Sequence, residues 1–442
     1  MTSKESIDVL INAGWLIPVV PRNTVLKDCS VAIQDGKILA LLPTSEARSR
    51  FIAKEQHDLP NSLLIPGLIN AHGHAAMSLL RGYADDQTLD TWLNASIWPA
   101  ESRWVSEAFV RDGTELAIAE MLLSGTTCFS DMYFFPDQAA SVARRTGIKC
   151  QIAFPVLEFP SAWARNADEY IHKGLELRDE YRNDPNINIA FGPHAPYTVN
   201  DPTMEKIVLL AGELDAPVQI HLHETAHEIA QSIAKVGKRP IEHLQSLGVL
   251  SPLTQCVHMT QLIESDIALL AASGSHVVHC PESNMKLGSG FCPVEQIQAA
   301  GINVALGTDG AASNNDLNLL SEIKTAALIA KGLSGNPEIL PAHSALELAT
   351  INGAKALGID QHTGSIEAGK AADLVAINLA NITMQPLYNA LSQLIYADSA
   401  KNLSHTWVNG QLLVKNGQLL HIDEASLLHK TQTWQTKIQS ER

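Results

Sequence analysis

Val218-Gln219-Ile220-His221-Leu222-His223-Glu224 runs from a short apolar stretch, of the kind that forms a buried strand, into three side chains able to bind a metal or move a proton. Ala216-Pro217 punctuates its start. Packing alone gives no reason to end a strand on His-Leu-His-Glu. If this segment is the edge of an active site, other strands must also end on polar residues, and the spacing of those strands decides the fold.

Working outward, similar runs recur on both sides. Upstream are Leu63 to Ile69, Thr126 to Phe129, Lys149 to Phe154 and Ile187 to Phe191; downstream are Gln255 to Val257, His276 to Val278 and Ile302 to Leu306. Segments such as Asp112 to Leu123 and Met204 to Leu214 lie between them with helical spacing. Eight alternations of buried strand and helix predict a (β/α)8 barrel of the TIM type, whose active sites sit at the C-terminal strand ends. A doubly wound open sheet is the alternative, weakened by the lack of a Gly-x-Gly-x-x-Gly turn after the first strand.

The flanks read differently. Ile7 to Ile11, Ser30 to Ile33 and Lys37 to Leu42 are strand-like, with Asp35-Gly36 as a hairpin signal. After the turn-rich Gly364 to Lys370, Ala372 to Ile377 reads as a strand and Thr406 to Leu412 as a hairpin. The expectation is a small β-sandwich built from both termini, residues 1–62 and 364–442, around a barrel at 63–363. Asp423 to Arg442 reads as an amphipathic helix, a packing element or dimer contact.

With 47 acidic against 31 basic residues and a formal charge of −16, the surface repels phosphate backbones and anionic lipid, so neither nucleic acid nor membrane is an expected partner. The first residues lack the apolar core of a signal peptide. The six cysteines are scattered without a Cys-x-x-Cys pair, which argues against a zinc ribbon or disulfide scaffold and for a cytoplasmic protein.

Polar residues do follow the other strands. The first leads into His72-Gly73-His74, where alternate residues of an extended segment face the same way and present two imidazoles to one ion. The fourth is followed by His194, the sixth by His258 and the eighth by Asp309. Any one of these is more often structural, and Asp309 alone reads as a helix cap. Together at one barrel face they form a constellation. Three imidazoles and a carboxylate suit Zn²⁺, with Fe²⁺ as the alternative, rather than a hard ion. Coordinated water would be acidified to a hydroxide nucleophile, with Glu224 to shuttle protons and His258 to hydrogen-bond the hydroxide.

These residues resemble the amidohydrolase superfamily, and the resemblance covers nearly the whole chain. Pro66-Gly67-Leu68-Ile69-Asn70-Ala71-His72-Gly73-His74 is similar to its opening signature. His221 to Thr225, Gly192 to Tyr197 and Cys280 to Leu287 resemble its chlorohydrolase/deaminase branch, most nearly the 5′-methylthioadenosine/S-adenosylhomocysteine deaminases. The resemblance implies His72, His74, His221 and Asp309 as ligands of one metal, Glu224 as proton donor to the purine ring, and His258 with Asp309 as the groups that orient and deprotonate water. It implies Glu101 as a ribose contact, His194 as a nucleoside contact, and a homodimer. Ile187 to Phe191 contains no lysine, where binuclear relatives carry a bridging one, so a single ion is expected. Some members use two arginines at the homocysteine end; here only Arg165 is a candidate, which tilts the expectation towards methylthioadenosine.

Two other readings remain. One keeps the site and changes the ring: a guanine, oxopurine, cytosine or s-triazine aminohydrolase or chlorohydrolase. The other is a non-enzymatic assembly protein on the same fold, disfavoured because every ligand is present. Trp92, Trp98, Trp104 and Phe109 read as core or lid as readily as stacking surface, His223 as a hydrogen-bonding support for the site, and Ser283 and Asn284 as shapers of their loop.

Overall fold

The computed structural model describes residues 4–440 and contains two eight-stranded sheets. The first uses β1 (Glu5–Leu16), β2 (Leu26–Gln34), β3 (Lys37–Pro43) and β4 (Phe51–Pro66). The second uses β5 (Leu68–Asn70), β6 (Thr126–Asp131), β7 (Lys149–Val156), β8 (Ile187–Pro193), β9 (Val218–Leu222), β10 (Thr254–His258), β11 (His276–His279) and β12 (Val304–Leu306). The chain then returns to the first with β13 (Leu374–Asn378), β14 (Leu403–Val408), β15 (Gln411–Lys415) and β16 (Gln418–Leu419).

In the first sheet the order is β16-β15-β14-β13-β4-β1-β2-β3, so strands from both ends of the chain meet at the β13–β4 pair. Its tight turns are Asp35-Gly36, Asn409-Gly410 and Asn416-Gly417, each with two consecutive positive φ angles. Those dihedrals match the right-handed twist of the flanking strands, which is why Asp-Gly and Asn-Gly occupy them.

The second sheet follows chain order from β5 to β12, with parallel registers throughout β7 to β12. Ala71 N, just past β5, donates to Leu306 O of β12 at 2.9 Å. The first and last strands therefore meet. That contact makes the sheet a barrel and removes the open-sheet alternative. Strands β6, β7, β9 and β10 are buried along their whole length, as a parallel sheet covered by helices requires.

One expected strand divides. Leu63 to Pro66 completes β4 in the terminal sheet, and only Leu68–Asn70 enters the barrel. The break falls at Gly67, where an added Cβ would lie 2.1 Å from Thr127 Oγ1. No other residue fits that approach.

By contact density the chain forms two compact units. One holds the residues through Ile69 with Glu120–Cys128 and Asn318–Ile422; the other holds Asn70–Ala119, Phe129–Leu317 and Asp423 onward. The expected terminal helix spans Glu424–Ser440. It is a packing element: Trp434 meets the Phe109 ring edge-on at 5.3 Å and donates Nε1–H to Asp112 at 3.0 Å. Among the described residues no helix is long and apolar enough to cross a membrane.

Candidate metal centre and active site

The barrel's C-terminal strand ends bring together His72, His74, His221, His258 and Asp309, all in the second unit. His72 Nε2 lies 3.2 Å from His221 Nε2 and 3.5 Å from Asp309 Oδ1, and His74 Nε2 lies 3.1 Å from the same oxygen. Adjacent ligand atoms around a tetrahedral zinc with bonds of about 2.0–2.1 Å are roughly 3.3 Å apart, which these three contacts match; the ligand atoms form two overlapping groups that share His72, one with His74 and Asp309 and one with His221 and His258.

The outer nitrogens show which lone pairs are free. His74 Nδ1 faces Met132 O at 2.6 Å, and His221 Nδ1 faces His194 O at 2.7 Å. Carbonyl oxygens only accept, so both rings carry a proton on Nδ1 and can offer only an Nε2 lone pair to an ion; at His74, burial is outweighed by Asp309, which raises the ring to about 9, so an ion there displaces the Nε2 proton. His72 Nδ1 meets Gln219 Oε1 at 2.8 Å, with the same consequence. Two such lone pairs 3.2 Å apart repel unless a positive charge lies between them. The donor set therefore fits a divalent transition ion by chemistry as well as by distance.

His258 is close enough to form a second possible donor group with His72 and His221. Its outer contact differs: Asn284 Nδ2 lies 3.0 Å from His258 Nδ1, and with the amide in this orientation the ring proton sits on Nε2. That nitrogen points at Glu224 Oε2, 3.7 Å away. Burial lowers the ring to about 3, so it is neutral and presents an N–H to the cavity.

Several of these positions are held in strained backbone. His223, His258, Met259 and Asp309 have φ of 54°, 76°, 52° and 60°, a region costing non-glycine residues about 1–3 kcal/mol each. Local bonds offset this. Asp309 N donates to His72 O, and Met259 N to Leu222 O. Asp309 Oδ2 accepts from Ser283 Oγ at 2.7 Å and Ser313 Oγ at 3.1 Å, leaving Oδ1 towards the imidazoles. Ser283, expected only to shape its loop, thus orients the carboxylate.

His223 departs from expectation. Its ring turns from the centre, with Nδ1 on Gln261 O at 3.1 Å and Nε2 accepting from Ile241 N at 3.1 Å. The support for Glu224 comes instead from Glu228, whose carboxylate accepts the backbone N–H of His223 at 3.0 Å and of Glu224 at 2.7 Å. Thr225-Ala226-His227-Glu228 has the Thr-x-x-Glu pattern of a helix N-terminus, the one sequence signal for this residue. Glu224 itself is buried, and burial, reinforced by Asp309 and Glu228, raises its carboxyl well above the ordinary range.

Above these groups lies a cavity. Trp92, Trp98, Phe134, Leu157, Phe159 and Tyr197 give it apolar walls, and Glu101, His194 and Glu224 reach it too. Trp104 and Phe109 instead pack in the hydrophobic core with Trp434. His194 contributes twice, its carbonyl to His221 and its ring to the cavity. Burial raises Glu101 to about 7, opposed by the Tyr133 hydroxyl and His74. No lysine or arginine is among the lining residues. The Arg165 side chain is 84% exposed, paired with Glu169 at 2.7 Å, and not among the lining residues.

Comparison with known proteins places this geometry in context. Residues 63–413 match the amidohydrolase family model. The chain is 51% identical over its whole length, and that of its relative, to a 5-methylthioadenosine/S-adenosylhomocysteine deaminase of Teredinibacter turnerae. A zinc-bound crystal structure of an adenosine deaminase from Xanthomonas campestris superposes with a TM-score of 0.98 at 46% identity, covering 99% of this chain and 100% of that one. A zinc complex of an atrazine chlorohydrolase from Arthrobacter aurescens reaches a TM-score of 0.90 at 24% identity, over 96% of this chain and 99% of that one, a likeness of fold alone. With the barrel, the strand-end histidines and a family match over most of its length, this chain belongs to the amidohydrolase family.

Proposed function

We propose that this protein is a metal-dependent deaminase that hydrolyses the amino group from adenine nucleosides, with 5′-methylthioadenosine as preferred substrate and adenosine or S-adenosylhomocysteine as lesser ones. The observation that carries the reading is the gathering of the His74 and His221 Nε2 atoms and Asp309 Oδ1 around His72 Nε2, beneath a cavity also lined by Glu224, whose carboxyl burial raises well above the ordinary range. His72, His74, His221 and Asp309 would hold one ion, Zn²⁺ in preference to Fe²⁺. Bound there, the ion supplies Lewis acidity that brings a water towards ionisation at neutral pH.

The protein's own groups do the rest. Asp309 accepts the proton of the attacking water, and His258 donates its Nε2–H to the same oxygen, aligning it. Glu224, kept protonated by burial, gives its proton to the ring nitrogen beside the carbon that bears the amine. The water oxygen adds to that carbon, the C–N bond breaks, and ammonia leaves with the proton returned through the same carboxylates. Glu101 accepts hydrogen bonds from ribose hydroxyls, and the His194 ring contacts the nucleoside. The cation-free walls suit a neutral thioether better than a homocysteine carboxylate, which supports the order of substrates.

The test is a panel read by ammonia release and loss of adenine absorbance, with metal content measured on the same preparation. Turnover of methylthioadenosine above adenosine is expected. A metal-loaded enzyme inert on every adenine nucleoside, or active only on guanine or s-triazines, would overturn the reading.

A further inference from the structure

Three glutamines occupy the barrel interior beneath the imidazoles: Gln151 on β7, Gln219 on β9 and Gln255 on β10, each 1% exposed or less. Gln219 precedes His221 by two residues, so strand alternation turns both side chains to the same inward face. Primary amides are costly in a barrel interior unless their donors and acceptors are matched.

Here they are matched in one direction only. The two N–H groups of Gln219 Nε2 are shared among three acceptors, Ala71 O at 3.0 Å, Ser130 Oγ at 3.1 Å and Gln255 Oε1 at 2.7 Å. Gln255 Oε1 also accepts from Gln151 Nε2 at 2.8 Å, and Gln255 Nε2 donates back to Gln151 Oε1 at 3.1 Å. A backbone carbonyl cannot be turned into a donor. Ala71 O therefore sets the orientation of the Gln219 amide, and reversing it would oppose oxygens at both Ala71 and Gln255. What remains is Gln219 Oε1, facing His72 Nδ1 at 2.8 Å.

We propose that Gln219 is a positioning residue for the metal centre: locked by Ala71, Ser130 and Gln255, its Oε1 holds the His72 proton on Nδ1 and keeps Nε2 free for the ion. This rests on the reading of His72 as a ligand. Gln219 touches neither substrate nor ion; it decides which His72 nitrogen carries the proton. His74 and His221 obtain the same result from backbone carbonyls, so His72 is the ligand whose tautomer depends on a side chain.

Two substitutions separate this from a packing role. Gln219→Met keeps the shape and removes the acceptor. Gln219→Glu keeps an acceptor on His72 but sets a carboxylate oxygen against Ala71 O and Gln255 Oε1. The full-length holoenzyme of each is challenged with a chromogenic chelator, the Co²⁺-loaded form is examined by visible absorption, and melting of the metal-free forms is recorded. Q219M is expected to lose roughly 10–100-fold in metal affinity, as partners of ligating histidines do, with a changed Co²⁺ spectrum. Q219E is expected to melt below Q219M yet retain metal better. A packing role alone would rank both properties in the same order. Q255M reads the same relay without touching His72, is expected to lose less metal affinity than Q219M, and serves if either variant fails to fold. Q219M holding metal as wild type does, or retention that merely follows metal-free melting, would overturn the inference. Wild-type protein that takes up no transition metal would overturn the metal-centre reading along with it.

Discussion

Two clusters of histidines among the described residues differ in where the ring nitrogens point. In the terminal sheet, His405 stacks on Trp407 at 5.3 Å and 10°, and His57 meets the same indole edge-on at 5.3 Å. His57 Nε2 turns out to Glu55, and His405 Nδ1 lies 3.0 Å from Ser404 Oγ. Those nitrogens diverge, and the rings serve as flat packing surface. In the barrel, Nδ1 of His72, His74 and His221 each face an oxygen acceptor, while His72 Nε2 faces His221 Nε2 and shares Asp309 Oδ1 with His74 Nε2. Burial alone does not mark a metal centre. The direction of the outer hydrogen bond does.

That contrast is open to tests of graded size. His221→Ala should cost on the order of 10⁴-fold in kcat/KM with loss of bound metal, since it removes one of the proposed ligands and with it Lewis acidity worth several kcal/mol. Steady-state kinetics with metal analysis would check this; near-normal activity would erase the distinction between the clusters. Glu224→Gln should keep its metal and lose on the order of 10²–10⁴-fold in kcat, the usual loss of a general acid. Metal loss in that variant would move Glu224 from proton transfer to ligation.

Glu101→Gln should act on substrate binding. A charge-assisted hydrogen bond is worth about 1.5–3 kcal/mol, so KM for nucleosides should rise roughly tenfold or more. Because burial places Glu101 at about 7, it is protonated at pH 6 and ionised at pH 8. Only the ionised form accepts from two hydroxyls, so the wild-type KM should fall as pH rises through 7, and E101Q should flatten the profile. An unchanged slope would remove Glu101 from ribose recognition. The smallest effect on function belongs to the other cluster. His405→Ala should leave metal content and kcat unchanged while lowering stability by roughly 1–3 kcal/mol, measured by thermal melting. A loss of bound metal there would contradict the contrast from the opposite side.

The eight barrel strands were legible because parallel strands covered on both faces read as short apolar runs, and the polar residues ending them stand out against that background. The terminal sheet was legible at its turns, where Asp35-Gly36 and Asn409-Gly410 have a backbone requirement. The division of Leu63 to Ile69 was not. A continuous apolar run carries no mark of which sheet takes each half, and the decision rests on Thr127 pressing against Gly67. His223 misled for a similar reason: spacing places it beside the centre, but its positive φ turns the ring to Gln261 and Ile241. Gln151, Gln219 and Gln255 each stand singly in an apolar strand, and only the closed barrel shows that they meet. Ser283 and Glu228 were hidden because each acts through another residue's carboxylate or backbone.

X-ray absorption at the metal edge of the zinc-loaded protein tests the central claim most directly, and the same measurement on H258A makes it decisive. The expected result is one ion with three imidazole nitrogens and a carboxylate oxygen from the protein, and the same three nitrogens in H258A. A protein shell that loses a nitrogen when His258 is removed would contradict the assignment of His258 as a hydrogen-bond donor and of the other three as the ligands.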